Sequence, residues 1–454
     1  MTKSLLAASA LLTVALSANQ AAAQMEVSVG GQLDFEAGAA MSDDIGATGS
    51  AGIEGAYLLD TFGLDAPGSV QDKQESLDEI TGAGLSAALD EDDGFAGADY
   101  NPGAESVAAT DAERSGDFRN RADNVTISVS NTVDNGLTYG GSYNILKGET
   151  NASAQLFLSG AFGTVRMGDW DAAANELGIG SPSAGTGGFD GNWGDYVFNA
   201  GIIDTGTAGA DGTNITYLTS GTALDDSGVT LGLSYTPQTG SNDWTIARNN
   251  EDGFQDAVSA AVQYQGEFSG VSLSGSAGYE FGTSNERDTF RIWQPGTNLN
   301  DVDADGNPVN DLEFSSQNLS AFQLGANLGV GGFTVGAQYV DNRDSGKPSG
   351  STDRTWSVGA TYTVGPWGFG INYADAEEKV SVSRDADNGA SFTVSERVVG
   401  LGGSYSVAPG LDILSDLTHF RSDWTSTRRA AGNEDSLSLD NAGWVGLVST
   451  RLSF

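Results

Sequence analysis

A period of two runs through this chain, and the second face it creates is unusual. Between Met25 and Ala37, the residues Val27, Val29, Gly31, Leu33 and Phe35 share one parity; Ser28, Gly30, Gln32, Asp34 and Glu36 share the other. Successive side chains of a strand point to opposite faces, so each set lines one face. The pattern recurs at 137–145, 229–235, 271–281, 356–364 and 367–374. In the last of these, Trp367, Phe369, Ile371 and Tyr373 oppose Gly368, Gly370, Asn372 and Ala374. A soluble sandwich buries its apolar face against a second sheet, and its other face is often charged. Here the second face is mostly Gly, Ser, Thr, Asn and Gln, and aromatics gather near strand ends. Apolar-out, polar-in strands with aromatic girdles are the pattern of a membrane-spanning barrel. Small inner residues suit a wall that lines water.

The connections alternate in length. Short glycine-containing turns sit at 133–136, 160–163, 225–228, 267–270, 329–332, 365–368 and 407–410. These are hairpin chemistry. Longer polar, acidic stretches lie between them, at about 39–117, 147–153, 170–213, 237–255, 282–318, 342–353, 376–391 and 421–438. Seven turns and eight loops make fifteen connections, which join sixteen strands. The expected fold class is all-β: a transmembrane antiparallel β-barrel of about 16 strands over residues 24–454, with short periplasmic turns and long extracellular loops. Sixteen strands enclose an aqueous channel rather than a packed core. No stretch approaches 18 consecutive apolar residues, so no helix is expected to cross a membrane. Trp444, Gly446, Val448, Thr450, Leu452 and Phe454 share a parity in the last strand. That aromatic end resembles the one outer-membrane barrels present to their assembly machinery; the alternative is an ordinary edge strand.

Lys3 precedes an apolar run from Leu5 to Leu16, and Ala21, Ala22 and Ala23 precede Gln24. This layout predicts a secretory signal peptide over 1–23. The chain has 61 acidic and 20 basic residues, a net charge of -41, one histidine and no cysteine. That balance excludes nucleic acid as a partner, because a phosphate backbone would be repelled. It also excludes disulfides, cysteine-ligated metals and multi-histidine metal sites. His419 shares parity with Leu411, Ile413 and Leu417, the outward set, which makes it an interfacial side chain rather than a general base. With no visible nucleophile and base, the chain is not expected to be an enzyme.

Two runs carry a family resemblance: Asn124 to Tyr143, NVTISVSNTVDNGLTYGGSY, and Phe157 to Asp169, FLSGAFGTVRMGD. Together they resemble the general, non-specific porins of photosynthetic and related alphaproteobacteria, the Rhodobacter type. Tyr139 stands where the family's hairpin pattern has Phe. The resemblance implies a homotrimer in the bacterial outer membrane, in contact with its lipid. It implies a water-filled channel for ions and small hydrophilic solutes, with the third loop folded inward as a constriction. The first loop, 39–117, is much longer than the pattern.

The constriction is then expected in the third loop, 170–213. Its acids are Asp171, Glu176, Asp190, Asp195, Asp204 and Asp211, and it contains no Lys or Arg. Basic partners should come from the walls. Arg166 lies on the inner parity with Thr164 and Gly168, and Arg451 lies opposite Leu452. Arg119 and Arg121 share parity with Val125, Ile127 and Val129, the outward set. Either a bulge resets their phase or they sit on the rim. An acidic loop facing basic walls would set a transverse field, and the acid excess predicts a mild cation preference.

One motif points to a metal. Asp301, Asp303, Asp305 and Asn307 alternate, with Gly306 for a sharp turn. That is the opening of an EF-hand-like calcium loop. The twelfth position is Leu312, with Glu313 one late, so a standard EF-hand is not met. Calcium in an extracellular loop and a solvated acidic loop tip are the two readings. A second functional class stays open at this point: a secreted acidic calcium-binding β-rich surface protein or adhesin. Detergent requirement separates the two.

Overall fold

The computed structural model describes residues 25–42, 46–49, 114–146, 154–239, 253–284, 287–291, 311–383, 389–430 and 433–454, apart from positions 198, 208, 211, 221, 223, 225 and 226. Sixteen strands form the wall. They are β1 (Glu26–Ser42), β2 (Arg114–Thr132), β3 (Thr138–Leu146), β4 (Ala154–Gly160), β5 (Gly163–Trp170) and β6 (Gly212–Leu218). Then come β7 (Val229–Gln238), β8 (Phe254–Phe268), β9 (Val271–Ser284), β10 (Leu319–Val330) and β11 (Phe333–Asp341). The tall side is β12 (Thr352–Val364), β13 (Trp367–Ser383), β14 (Gly389–Ala408), β15 (Leu411–Ala430) and β16 (Asn433–Ser453). Each strand pairs antiparallel with its neighbours in sequence. β1 and β16 close the ring, with Gln32 opposite Ser453. The Gly31 and Phe454 backbones exchange hydrogen bonds of 2.9 and 3.1 Å at the seam. Closure matters because an open edge in lipid would leave backbone groups unpaired.

The short turns follow the sequence reading. At 268–271 and 330–333 the two central residues have positive φ: Ser269 53° with Gly270 80°, and Gly331 57° with Gly332 87°. Two left-handed residues in succession make the type I′ turn whose twist matches a hairpin. The long connections differ more. The stretches 376–391 and 421–438, expected as loops, are mostly strand: β13 runs to Ser383, and β15 and β16 leave only 431–432 between them. A short strand, Gly46–Gly49, adds to β16, and Arg287–Arg291 pairs with Asp311–Ser315 in a separate hairpin.

The outer face is apolar, as the alternation requires. Phe333 stacks on Tyr362 at 4.1 Å and Trp367 lies 4.4 Å from Tyr405 at the short-turn end. Trp356 lies 5.1 Å from Tyr373 at the other. His419 sits outward, edge-on to Trp444 at 4.8 Å. The inner face holds a surprise for the simple alternation. Phe420, Val398, Val445 and Leu447 point inward and are buried against Phe189 and Trp193 of the loop 171–211. Higher up, Phe392, Val394 and Trp424 pack on Ala200 and Ile202. So the polarity of β14–β16 inverts above the lipid-facing band: apolar side chains turn in and, Glu396 apart, charged ones turn out. This is why those stretches read as loops, since their outward residues are polar.

Candidate functional site

The loop 171–211 runs inside the barrel and packs against the wall most of the way round. Its outgoing limb holds a short helix, α1 (Ala173–Glu176), and two 3-10 turns, Gly188–Asp190 and Asn192–Tyr196. Its return limb passes nearer the extracellular end. An irregular backbone inside a barrel needs partners for its N–H and C=O groups, and the wall supplies them. Ser234, Ser259 and Ser276 accept from the amides of Ala173, Ala174 and Ile179 at 2.7, 2.8 and 2.8 Å. Asn372 accepts from Phe189 N at 3.0 Å. Glu396 accepts from Ala200 and Ile202, both at 3.1 Å, and Glu280 from Ala210 at 3.2 Å. Gln263, Asn327 and Gln338 donate to the carbonyls of Leu177, Gly180 and Thr205 at 3.0, 3.1 and 2.6 Å. The small polar inner face is therefore largely a docking track for the loop.

Glycine provides the clearance. A Cβ built on Gly325, Gly359 or Gly402 would fall against the carbonyl oxygen of Ile179, Pro182 or Ala184. These three sit on β10, β12 and β14, so the outgoing limb presses on bare backbone at alternate strands.

The arc from β2 to β5 carries less of the loop, and there the charged groups meet. Arg166 pairs with Glu176 at 2.6 Å and lies over Trp170 at 5.8 Å. Trp170 Nε1 donates to the same carboxylate at 2.7 Å. Arg119 reaches Glu36 at 3.0 Å and Asp195 at 3.0 Å, and lies over Tyr196 at 4.4 Å. Its inward aim comes from a bulge. The β1–β2 register slips between Leu33 and Phe35, which places Leu33 opposite Asp123 but Phe35 opposite Asn120. The extra residue in β2 resets the parity, so Arg119 turns inward while Phe118 is 73% exposed outside. The slip brackets Arg121, whose side chain lies outside the described residues.

Glu36 is the centre of this cluster. It is fully buried and also accepts from Asn192 Nδ2 at 2.6 Å and Tyr196 OH at 3.2 Å. Next to it Asp34 holds Arg451 through bonds of 2.7 to 3.0 Å. The sequence reading did not select Asp34, Glu36, Glu280, Glu396 or Asp416 as site residues. The available signal was a lone carboxylate on a strand face otherwise made of small residues.

The other expected residues lie along the loop. Asp171 and Asp204 line a cavity of about 440 Å³ between the limbs, with Asn175, Ile203 and Thr207. Asp190 lies in the first 3-10 turn; desolvation raises its pKa, against a hydrogen bond from Thr205. Asp204 accepts from Asn342 at 2.9 Å. Nearby Lys347 pairs with Asp353 at 2.6 Å and Glu378 at 2.9 Å. Burial, and then the Asp353 charge, push the Asp204 carboxyl up to about 7. Burial alone would lower the Lys347 ammonium, but Asp353 and Glu378 outweigh it and its pKa lies above the ordinary value. Asp211 and the calcium motif Asp301, Asp303, Asp305 and Asn307 lie outside the described residues. Among the described residues no group of three or more acidic or histidine side chains is arranged to hold a metal ion.

Comparison with known proteins adds a family to this geometry. The sequence profile described as Gram-negative porin matches residues 7–425. No curated protein matches the chain. Among solved structures, outer-membrane-expressed OmpT of Vibrio cholerae is 12% identical, with a TM-score of 0.50, covering 96% of this chain and 99% of that one. An anion-selective porin from Comamonas acidovorans is 13% identical, with a TM-score of 0.45 over 95% of this chain and 100% of that one. A variant of the Rh. blastica porin is 16% identical, with a TM-score of 0.42 over 94% and 100%.

Proposed function

Because the chain belongs to the Gram-negative porin family, and so forms a diffusion channel in the bacterial outer membrane, we propose that loop 171–211 sets its narrowest passage. Ions and small hydrophilic solutes pass between the loop and the β2–β5 arc. Family membership points to a channel rather than an enzyme. It also displaces the secreted surface-protein reading, which a closed barrel with an apolar exterior does not fit. The observation that carries the proposal is the pairing of loop carboxylates with wall arginines on that arc: Glu176 with Arg166 and Asp195 with Arg119.

The passage has a mild cation preference. The loop brings five described acids and no base, and the wall beside the arc adds Asp34 and Glu36 against Arg119, Arg166 and Arg451. A lumen discriminates through its narrowest charged ring, and here carboxylates outnumber guanidiniums.

The same reading makes the assembly a homotrimer. An uneven wall supports it: β3 to β6 have 9, 7, 8 and 7 residues, whereas β13 to β16 have 17 to 21. A tilted strand needs about 9–11 residues to cross the hydrocarbon. The short arc is better covered by a neighbouring subunit than by lipid.

Single-channel conductance in a planar bilayer under a salt gradient tests the proposal. Long-lived ohmic openings with a cation-selective reversal potential are expected, and Arg166→Gln should increase that selectivity. An unchanged conductance and reversal potential in Arg166→Gln would remove Arg166 from the passage.

A further inference from the structure

One inward side chain breaks the small, polar pattern of the passage wall. Phe157 on β4 lies opposite Gly140 on β3 and Arg166 on β5. Arg166 meets Glu176 of the inward loop, and Leu156, next to Phe157, is 61% exposed on the outside. Alternation therefore turns the Phe157 ring to the lumen. Gly140 makes room for it: an added Cβ there would meet two of the ring carbons at 2.9 Å. The ring lies over bare backbone of β3 and stays half-buried, so part of it is open to the passage. A second aromatic stands higher on the same wall. Trp170 shares the inner parity of β5 with Arg166, four residues and about 13 Å further along the strand. Its ring lies 5.8 Å from the Arg166 guanidinium and its Nε1 donates to Glu176 at 2.7 Å.

The wall between the two rings is polar and has hydrogen-bonding capacity to spare. Gln155 lies opposite Ser142 on β3 and opposite Gly168 on β5, where no side chain stands. Its Nε2 donates to Ser142 Oγ at 3.0 Å, but its Oε1 has no partner among the described residues. The same holds for Asn144 Oδ1 on β3 and for Arg166 Nε. Proteins rarely leave such atoms unpaired.

These groups select a solute class. The Arg166 charge is already met by Glu176 at 2.6 Å, so nothing here calls for an anion. What is left over is two amide oxygens and one N–H, beside an aromatic ring. Only a solute whose polar groups both donate and accept can serve all three, and hydroxyls do so. The same solute needs an apolar face to lie on Phe157. A sugar ring has both, with C–H groups on its face and hydroxyls at its rim. Sites of this kind pair aromatic surface with a few placed polar groups.

We propose that Phe157 and Trp170, with Asn144, Gln155 and Arg166 between them, form a saccharide-binding subsite on the passage wall. One sugar ring stacks on Phe157, and its hydroxyls reach the Gln155 and Asn144 amides and the Arg166 Nε. A second ring of the same oligosaccharide continues toward Trp170. The subsite rests on the reading that solutes pass along the β2–β5 arc, and it names a solute class for that passage.

Maltotriose is the probe, and sorbitol, a polyol with no ring face, is the control. Titration calorimetry reads binding without any current, on the folded protein in a polyoxyethylene detergent whose head carries no sugar. The wild type should bind maltotriose saturably and sorbitol not at all. Phe157→Ala should weaken binding about tenfold, the upper range for one aromatic contact, whereas Phe157→Tyr should keep it. Gln155→Leu should weaken it about fivefold, through one lost hydrogen bond. Equal binding of maltotriose and sorbitol would overturn the subsite, and so would unweakened binding by Phe157→Ala. If Phe157→Ala does not fold, as read by heat-modifiable migration, Gln155→Leu decides, and unweakened binding there overturns the subsite. Maltotriose added to a conducting channel should also lower the current with the same half-saturation. Saturable binding by a protein that does not conduct would overturn the passage and leave the subsite standing. Conduction without saturable maltotriose binding would overturn the subsite and leave the passage.

Discussion

At the scale of the residue, buried carboxylates govern how the inward loop is held. Asp204 has the largest consequence. Its carboxyl is pushed up to about 7 by burial and by Asp353, with Glu378 adding to the effect and Lys347 and Asn342 opposing it. An acid whose folded pKa lies above its unfolded value binds more protons when folded. Stability then falls as pH rises between the ordinary carboxylate range and 7, by at most about 1.4 kcal/mol per pH unit for one group. The thermal unfolding midpoint of the detergent-solubilised wild type should rise from pH 8 to pH 5.5 by more than that of Asp204→Asn. The variant should also be the more stable at pH 8. A parallel response in the two proteins would show that Asp204 does not report on this cluster. Arg119 teaches a different residue-scale lesson: parity alone aims it at lipid, and one extra residue in β2 turns it to Glu36.

At the scale of the element, the loop 171–211 is kept against the wall by shape as much as by hydrogen bonds. On β14, a side chain at Gly402 would meet the Ala184 carbonyl and the Asp416 carboxylate. Gly402→Val should push the outgoing limb off the wall, at a cost of about 1–3 kcal/mol for overpacking. Single-channel conductance should change while the barrel still forms, because the substitution keeps a β-favouring residue in a strand. Gly446 on β16 has nothing within 4 Å of an added Cβ, so Gly446→Ala is the control and should change neither property. Conductance unaltered in Gly402→Val would mean the loop does not bound the passage at that point. The glycines of the inner parity were visible in the sequence as small residues. Their purpose was not, because a gap for water and a gap for a carbonyl leave the same pattern.

At the scale of the whole molecule, the unequal strand lengths divide the barrel into a low side and a tall one. The outward residues of the low side include Leu156 at 61% exposed and Ile215 at 54%. If subunits associate through this side, Leu156→Arg buries a charge three times over and should convert the trimer to monomers. The mass of the folded protein in detergent reads this directly. Leu401→Arg, on the lipid-facing tall side, should lower barrel stability by up to about 2–4 kcal/mol at mid-membrane depth but leave association intact. Loss of association in Leu401→Arg with a surviving assembly in Leu156→Arg would move the interface to the other side.

Alternation, turn chemistry and connection length are local properties, and they were enough for the strand number, the handing of apolar residues to lipid, and the place of Arg166 on the inner face. Three features needed the tertiary structure. The bulge that redirects Arg119 is a register effect between two chain segments some 80 residues apart, as Glu36 and Arg119 are. The inversion of polarity on β14 to β16 exists because loop residues such as Phe189 and Trp193 supply an apolar surface inside the barrel. The buried carboxylates Glu36, Glu280 and Glu396 are tolerated because the loop backbone and its side chains donate to them. Strand periodicity reports which way a side chain points; only the folded chain determines what it meets there.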